Sequence, residues 1–241
     1  MSKILEIKKE FKKSLEENDK KDLENIFQNL IDEYNKIEKD NQELKYIQKE
    51  LILRVGSVGE NRTKESGNHI KRVAEYSKLL AILYGLKKEE VELLELVSPM
   101  HDIGKAGVAD SILNKPGKLN DEEFEVMKTH TTIAYKILDG VDKKIFNAAK
   151  IIAYQHHERW EGGGYPRGIS GSEIDIFARI TTVADVFDAL GSERCYKSKW
   201  EDEKIFEFMK EESGKLFEPK LIELLIDNKN RFLEIRKRLE D

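Results

Sequence analysis

Apolar residues recur at helical spacing along almost the whole chain, and no segment alternates apolar and polar residues as a strand does. Only four prolines occur among the 241 residues. Charged residues make up 37% of the sequence, which is typical of helices whose outer faces are solvated. The sequence therefore predicts an all-α fold, in which an N-terminal helical segment precedes a helical bundle with one core.

The N-terminal segment, residues 1–55, contains neither proline nor glycine. Asn18 and Asp19 predict a break between two helices. In the second helix, apolar residues recur every seven residues, at Leu23, Leu30, Ile37, Leu44 and Leu51, with Phe27, Tyr34, Asn41 and Gln48 between them. Such a heptad predicts either a coiled coil, which would form a homodimer or dock to a sensor protein, or an amphipathic helix packed on its own domain.

A glycine-marked stretch at 54–61 is predicted to end this segment, so residues 56–241 form the second domain. There we predict helices over 70–84, 91–97, 121–138, 145–155, 179–190 and 202–209, with two short helices after Pro219. The glycine-rich stretch at 158–172 predicts an ordered loop, of the kind that often carries function.

Charge and composition exclude several classes of partner. The net charge is −5 without any basic block, which argues against a protein that binds duplex DNA or RNA. No apolar run is long enough to span a membrane, and the lysine-rich N-terminus does not resemble a signal peptide, so we expect a cytoplasmic protein. Cys195 is the only cysteine, so a bound metal must be held by nitrogen and oxygen ligands.

The five histidines stand in settings that favour ligation over a surface position. His69 follows Glu65 by four residues, so both side chains lie on one face of a helix. His101 is followed directly by Asp102. His130 lies in the apolar stripe of helix 121–138, which consists of Phe124, Met127, Ala134 and Ile137. Asp185 is flanked by apolar residues, where an unpaired carboxylate would be costly. The candidate ligands are Glu65, His69, His101, Asp102, His130, His156, His157 and Asp185.

Imidazoles and carboxylates without sulfur favour iron, manganese or zinc, and favour a cluster over a structural zinc. Carboxylates such as Asp102 can bridge two ions, and a pair of ions can activate water for attack on phosphorus. The expected reaction is therefore hydrolysis of a phosphate ester. Lys105 is expected either to act on the substrate or to form only a salt bridge near the site.

Four motifs, in order, are similar to those of the HD-GYP family, a subgroup of the HD metal-dependent phosphohydrolases. They are "HDIGK" at 101–105, "KPGKL" at 115–119, "MKTH" at 127–130 and "HHERWEGGGYP" at 156–166. The resemblance runs from about Glu65 to "GKLFEP" at 214–219. It implies a helical HD-type phosphohydrolase bundle.

The resemblance further implies a phosphodiesterase that hydrolyses cyclic di-GMP to linear pGpG, and in some members on to GMP, by attack of a metal-bridging hydroxide. It implies two or three divalent metal ions, iron or manganese, held by the eight candidate ligands, of which Glu65 matches the carboxylate of trinuclear members. It assigns Lys105 to the scissile phosphate. It assigns Gly164, Tyr165 and Pro166 to the nucleotide pocket, and Arg194 and Lys197 to the phosphates of the ligand.

Two departures from the family pattern lie near these residues, since Glu161 replaces a common aspartate and Cys195 a common proline. Asp188 is expected either to orient a ligand or Lys105, or to lie on the helix surface. The alternatives for function are an HD phosphohydrolase acting on 3′,3′-cyclic GMP-AMP, on another phosphodiester or on a nucleotide monoester, and a catalytically silent signalling module that binds a cyclic dinucleotide or a partner protein.

Overall fold

The computed structural model describes residues 2–17, 20–60, 62, 68–192 and 199–240. Their helices, in chain order, are α1 (Ser2–Glu17), α2 (Lys20–Glu60), α3 (His69–Tyr84), α4 (Lys88–Val97), α5 (Asp110–Leu113), α6 (Asp121–Leu138), α7 (Lys144–Gln155), α8 (Ile176–Gly191), α9 (Asp202–Glu211), α10 (Pro219–Asp227) and α11 (Lys229–Arg238). Three short 3₁₀ helices cover Ser98–Met100, Ile103–Gly107 and Gly171–Glu173. Between Ser213 and Phe217 there is an isolated bridge, and the described residues contain no β-strand, which confirms the all-α prediction.

The chain divides into two compact units, Met1–Glu50 and Leu51–Asp241. In the first unit, Ile7 and Ser14 of α1 and Ile26 of α2 are buried. Most of the heptad positions of α2 are exposed, with exposed fractions of 64% for Phe27 and 63% for Leu44. The predicted break at Asn18 and Asp19 lies outside the described residues, and the predicted division into domains 1–55 and 56–241 stays a prediction.

Helix α2 does not end at the glycines of 54–61 but runs on to Glu60. A Cβ atom on Gly56 would overlap the carbonyl oxygen of Pro99, and one on Gly59 would overlap that of Asp102. These glycines therefore allow the last turns of the helix to lie directly against the segment that carries Asp102, and the expectation that they interrupt the helix was wrong. A glycine in a helix costs only ~1 kcal/mol relative to alanine, which close packing can offset.

The core of the second unit forms around α3 and α8. Tyr76 of α3 and Phe187 of α8 are fully buried, and their rings meet edge to face with centroids 5.2 Å apart. Phe232 of α11 closes this aromatic group, with its centroid 5.8 Å from that of Phe187. Burying a side chain of this size contributes ~1.5–3 kcal/mol, so these contacts hold α3, α8 and α11 together.

Helix α6 has the predicted bounds, but its buried face differs from the predicted stripe. His130, Thr131, Ala134 and Leu138 are buried, whereas Phe124 is 44% exposed and Ile137 is 51% exposed. The inward direction of His130 is therefore as predicted, although two residues that define the sequence stripe lie outside the core. No helix among the described residues has the length and apolar character needed to span a membrane.

Candidate metal centre

His101 and Asp102 form the turn between two 3₁₀ helices and lie at the centre of the site. Both are buried, with 0% and 5% of their surface exposed. Gly104, two residues later, packs so closely on α6 that a Cβ atom would overlap the carbonyl oxygen of His130. This close approach brings Asp102 next to the imidazole of His130.

A first group of potential ligands surrounds one oxygen of Asp102. Asp102 Oδ1 lies 3.3 Å from His130 Nε2 and 3.5 Å from His156 Nε2. Ligand atoms of Asp102, His130, His156 and His157 all lie within 4.8 Å of one another. These residues come from α6, from the end of α7 and from the turn after Met100, so separate elements converge on one point.

A second group lies on the other side of Asp102 and consists of Glu60, His69 and His101, with ligand atoms again within 4.8 Å. Asp102 Oδ2 lies 3.3 Å from His101 Nε2. Asp185 of α8 also faces this group, with Oδ1 3.6 Å from His69 Nε2 and 3.8 Å from His101 Nε2. Asp102 therefore directs one oxygen to each group, so its carboxylate could serve a metal ion in each of them.

The imidazoles are held by their Nδ1 atoms. His101 Nδ1 lies 3.0 Å from the carbonyl oxygen of Ser98, and His130 Nδ1 lies 2.8 Å from that of Met127. His156 Nδ1 lies 3.2 Å from the carbonyl oxygen of Ile152. A carbonyl oxygen only accepts hydrogen bonds, so each Nδ1 donates and each Nε2 can present its lone pair to a metal.

These lone pairs fit a cation. His130 Nε2 and His156 Nε2 are 3.5 Å apart and both face Asp102 Oδ1, so three acceptors meet when both imidazoles are neutral. His101 Nε2 and Asp102 Oδ1 are buried and make no hydrogen bond to the described residues. Burial lowers the pKa of His130 to about 4, which keeps its imidazole in the neutral, ligating form. Buried acceptors without donors indicate a metal site.

The second group carries a proton when metal is absent. Burial alone would lower the pKa of His101, but the Asp102 carboxylate raises it to about 10. Metal ligation requires the neutral imidazole, so ions that bind here must displace this proton. His101 Nε2 lies 3.3 Å from Asp102 Oδ2, so this carboxylate is the nearby charge that favours the protonated imidazole.

Asp188 is fully buried and orients His69, so it does not lie on the helix surface. Its Oδ2 accepts a hydrogen bond from His69 Nδ1 at 2.8 Å, and its Oδ1 accepts one from Arg72 Nε at 2.7 Å. Burial would raise the pKa of Asp188, but the bonds from His69 and Arg72 hold it below its ordinary value. Arg72 also donates to the carbonyl oxygen of Leu239, at 2.9 Å, and so ties the end of the chain to this network.

Lys105 lies beside the Asp102 carboxylate. Its Nζ is 2.6 Å from Asp102 Oδ2 and 3.4 Å from Glu60 Oε1, and its side chain is 15% exposed. Lys105 and His101 hold the pKa of Asp102 well below its ordinary value, against the effect of burial. The ammonium group therefore lies beside the candidate metal centre, while a small part of the side chain is exposed to solvent.

The glycine loop places Tyr165 against the first group. The ring of Tyr165 stacks on that of His157, with centroids 4.7 Å apart. A Cβ atom on Gly164 would lie 2.6 Å from the Cα atom of Glu158, so only glycine permits this return of the chain. Glu158 is buried and accepts a hydrogen bond from the backbone N–H of Arg167 at 2.7 Å, which closes the loop. Pro166 follows Tyr165 and is half-buried.

Three of the predicted site residues, Glu65, Arg194 and Lys197, lie outside the described residues. The structure adds Glu60 and Arg72, which the sequence analysis does not identify. Arg72 could be found because it follows His69 by three residues and so lies on the same face of α3. Glu60 could not be identified, because Gly56 and Gly59 just before it predict a loop and not the end of a helix.

Residues 25–221 match the family model described as "HD domain". The chain is 44% identical, over 199 residues, to the 3′3′-cGAMP-specific phosphodiesterase 2 of Vibrio cholerae, covering 83% of this chain and 38% of that protein. It is 39% identical, over 192 residues, to a cyclic di-GMP phosphodiesterase of Thermotoga maritima, covering 80% of this chain and 52% of that protein. The chain thus spans about half or less of the length of these relatives.

A solved structure of a cyclic GMP-AMP specific phosphodiesterase from V. cholerae, V-cGAP3, has the same fold with a TM-score of 0.58 at 20% identity. The match covers 80% of this chain and 53% of that one. This likeness concerns the fold alone, whereas the family match and the curated relatives rest on sequence. The chain belongs to the HD domain family, and its ordered motifs and its relatives place it in the HD-GYP group.

Proposed function

We propose that this chain is a metal-dependent phosphodiesterase that hydrolyses a 3′,5′-linked cyclic dinucleotide. The observation that carries the proposal is the position of Asp102, whose two oxygens face two separate groups of buried ligand atoms. Metal ions bound there would supply Lewis acidity and lower the pKa of a coordinated water. The names of the curated relatives support a cyclic dinucleotide as the substrate.

The protein's own residues have distinct parts in this reaction. Two sets of residues would hold the metal ions. The first is Asp102, His130, His156 and His157, and the second is Glu60, His69, His101 and Asp185. Nitrogen and oxygen ligands of this kind suit iron, manganese or zinc, and the resemblance to the HD-GYP family favours iron or manganese. Lys105 places its ammonium group beside the centre, where it hydrogen-bonds to a phosphate oxygen and stabilises the charge that develops during attack. The resemblance to the HD-GYP family supports assigning Arg194 and Lys197 to the phosphates of the ligand, and Glu65 to a further metal ion.

Cyclic di-GMP is the proposed substrate, with linear pGpG as the first product. The alternative is 3′,3′-cyclic GMP-AMP, which the relative at 44% identity favours. Both substrates carry the same two phosphodiester bonds and at least one guanine, so the metal centre does not distinguish them.

The experiment is a turnover assay on the purified full chain with measured iron, manganese and zinc. The substrates are cyclic di-GMP and 3′,3′-cyclic GMP-AMP, and chromatography measures the linear products. We expect the protein to cleave one or both of them. The His101→Ala variant should lose metal and turnover together, because it removes a ligand from the second group. If metal-loaded wild-type protein cleaves neither compound, the proposed phosphodiesterase activity is wrong. If the His101→Ala variant is fully active, the proposed metal site is wrong.

We also propose that α2 forms a homodimer through its heptad stripe. Large apolar side chains along this stripe are exposed by 40% or more, which is more than a solvated helix face usually carries, and they are Phe27, Leu30, Tyr34, Ile37, Leu44 and Leu51. Matched stripes of this kind pack as coiled coils.

Sedimentation equilibrium should show a dimer for the full chain and a monomer for a Leu30→Glu, Leu44→Glu double variant. The charges would have to be buried in the seam, which is costly. Gln42→Glu, exposed and outside the heptad positions, is the matched control and should remain a dimer. A monomeric wild-type protein would contradict the dimer and leave two alternatives for the stripe, docking to a sensor protein or packing on its own domain.

A further inference from the structure

Helix α6 exposes an aromatic ring and a cation beside the candidate metal centre. Phe124 is 44% exposed, and Lys128 follows it by one helical turn on the same face. The Lys128 Nζ atom lies 5.0 Å from the centroid of the Phe124 ring and 5.7 Å from that of Tyr165. The ammonium group therefore touches both rings at a distance typical of cation–π contacts.

These rings form a continuous path from the first ligand group to the surface. The ring of Tyr165 stacks on His157 with centroids 4.7 Å apart, and it meets Phe124 edge to face at 6.2 Å. His130, a member of the ligand group, lies on the same helix as Phe124, and its ring centroid is 6.3 Å from that of Tyr165. A molecule whose phosphate lies at the metal centre can therefore extend along aromatic surface.

Phe124 does not contribute to the buried face of α6, which consists of His130, Thr131, Ala134 and Leu138. The Phe124 side chain is 44% exposed, so a large part of its apolar surface stays available for contact with another molecule. Flat aromatic surfaces of this kind stack well on nucleobases, whatever the base.

We propose that Phe124 and Lys128 form, with Tyr165, a base-binding subsite next to the metal centre. One purine base of the dinucleotide stacks on Phe124, and the Lys128 ammonium contacts the phosphate that is not being cleaved. This inference rests on the proposed function, since it assigns a place to parts of the same substrate.

Lys128 is free to take this role at small cost. It now pairs with Glu125, at 2.6 Å, but the Glu125 side chain is 69% exposed. Exposed ion pairs contribute little to stability, and a phosphate offers the ammonium a stronger partner. The subsite favours phosphodiesters that carry a nucleobase. A small phosphodiester without a base would reach the metal centre without contacting Phe124.

The test compares binding of two probes to the manganese-loaded full chain by isothermal titration calorimetry. The first probe is the bisphosphorothioate analogue of cyclic di-GMP, chosen to resist hydrolysis, and the second is inorganic phosphate, which has no base. The variants are Phe124→Ala, Phe124→Tyr and Lys128→Gln. Phe146→Ala is the matched control, since Phe146 is 38% exposed in the first turn of α7, about 15 Å along the helix from His156.

We expect Phe124→Ala to raise the Kd of the analogue about 5- to 150-fold, the range that loss of one base stack produces. Phe124→Tyr keeps the ring and should bind within about twofold of wild type. Lys128→Gln should raise the Kd about two- to fivefold. Phosphate binding and metal content should not change in any variant, and Phe146→Ala should match wild type throughout.

Three results would overturn the subsite: equal binding of the analogue by Phe124→Ala and wild type, parallel loss of analogue and phosphate binding, or no analogue binding by wild type. Failure of the proposed function has a different signature. A wild-type protein that binds the analogue through Phe124 but cleaves no cyclic dinucleotide would support the subsite and refute the phosphodiesterase.

Discussion

Replacing Asp102 with asparagine is expected to lower kcat/KM by at least about 10³-fold and to reduce the metal bound per chain. Asp102 is the carboxylate that faces both ligand groups, at 3.3 Å from His101 Nε2 and 3.3 Å from His130 Nε2. The amide is neutral and cannot bridge two ions as a carboxylate does. Losing several kcal/mol of charge stabilisation in the transition state corresponds to this change in rate.

Asp139→Asn is the matched control for this variant. Asp139 follows α6 at its C-terminal end and forms a surface pair with Lys150 at 2.7 Å. The same chemical change there should leave metal content and turnover at the wild-type level. Metal analysis gives the metal bound per chain, and steady-state kinetics gives kcat/KM, for both variants. An Asp102→Asn protein with full metal content and turnover would contradict the proposal that Asp102 serves both metal positions.

Among the variants proposed for this protein, Asp188→Asn should lower the free energy of unfolding most. It should also weaken metal binding. The carboxylate is 0% exposed and compensates the buried guanidinium of Arg72 through bonds of 2.7 and 3.1 Å. Removing one partner of a buried ion pair costs ~3–5 kcal/mol, because the remaining charge loses its compensation. We expect the free energy of unfolding to fall by about this amount in the metal-free protein.

The same variant tests whether Asp188 acts on the metal centre through His69. An amide accepts the hydrogen bond from His69 Nδ1 less strongly, so the imidazole is held less firmly and metal affinity should fall about 10- to 100-fold. Chemical denaturation gives the first quantity, and metal titration at a temperature where the variant is folded gives the second. A destabilised variant with wild-type metal affinity would show that Asp188 serves the fold alone.

Ser192→Ala is the control for the network. The serine hydroxyl accepts a hydrogen bond from Arg72 at 3.0 Å and approaches Asp188 at 3.3 Å, but it carries no charge. Its loss should cost about 1 kcal/mol in unfolding free energy and should not affect metal affinity. If Ser192→Ala and Asp188→Asn lower the unfolding free energy and the metal affinity equally, the charge of Asp188 does not stabilise the network as proposed.

Much of the fold could be predicted because helical periodicity is a local property of the sequence. Apolar spacing predicts a helix over 121–138, and the structure has the same bounds for α6. The 41-residue length of α2 could not be predicted, because the sequence does not show that Gly56 and Gly59 lie in close packing against Pro99 and Asp102. A glycine in a sequence does not reveal whether it interrupts a helix or lets another segment approach.

The candidate site divides in the same way. All five histidines could be selected from the sequence, and the structure brings them together around Asp102 and Asp185. Glu60 could not be selected, because its place beside His69 and His101 depends on where a long helix ends. Spacing places Phe124 in the apolar stripe of α6, because spacing alone does not distinguish a buried ring from one that stays exposed beside Tyr165.

By itself, the sequence determined the residue types available for chemistry, the helical character of the chain and the family to which it belongs. Only the tertiary structure decided that Asp102 lies between two ligand groups, that Asp188 is buried against Arg72, and that Phe124 remains exposed near Tyr165. The physical reason is that helix periodicity is set by neighbours within a few residues. The approach of side chains far apart in the chain is set by close packing between helices.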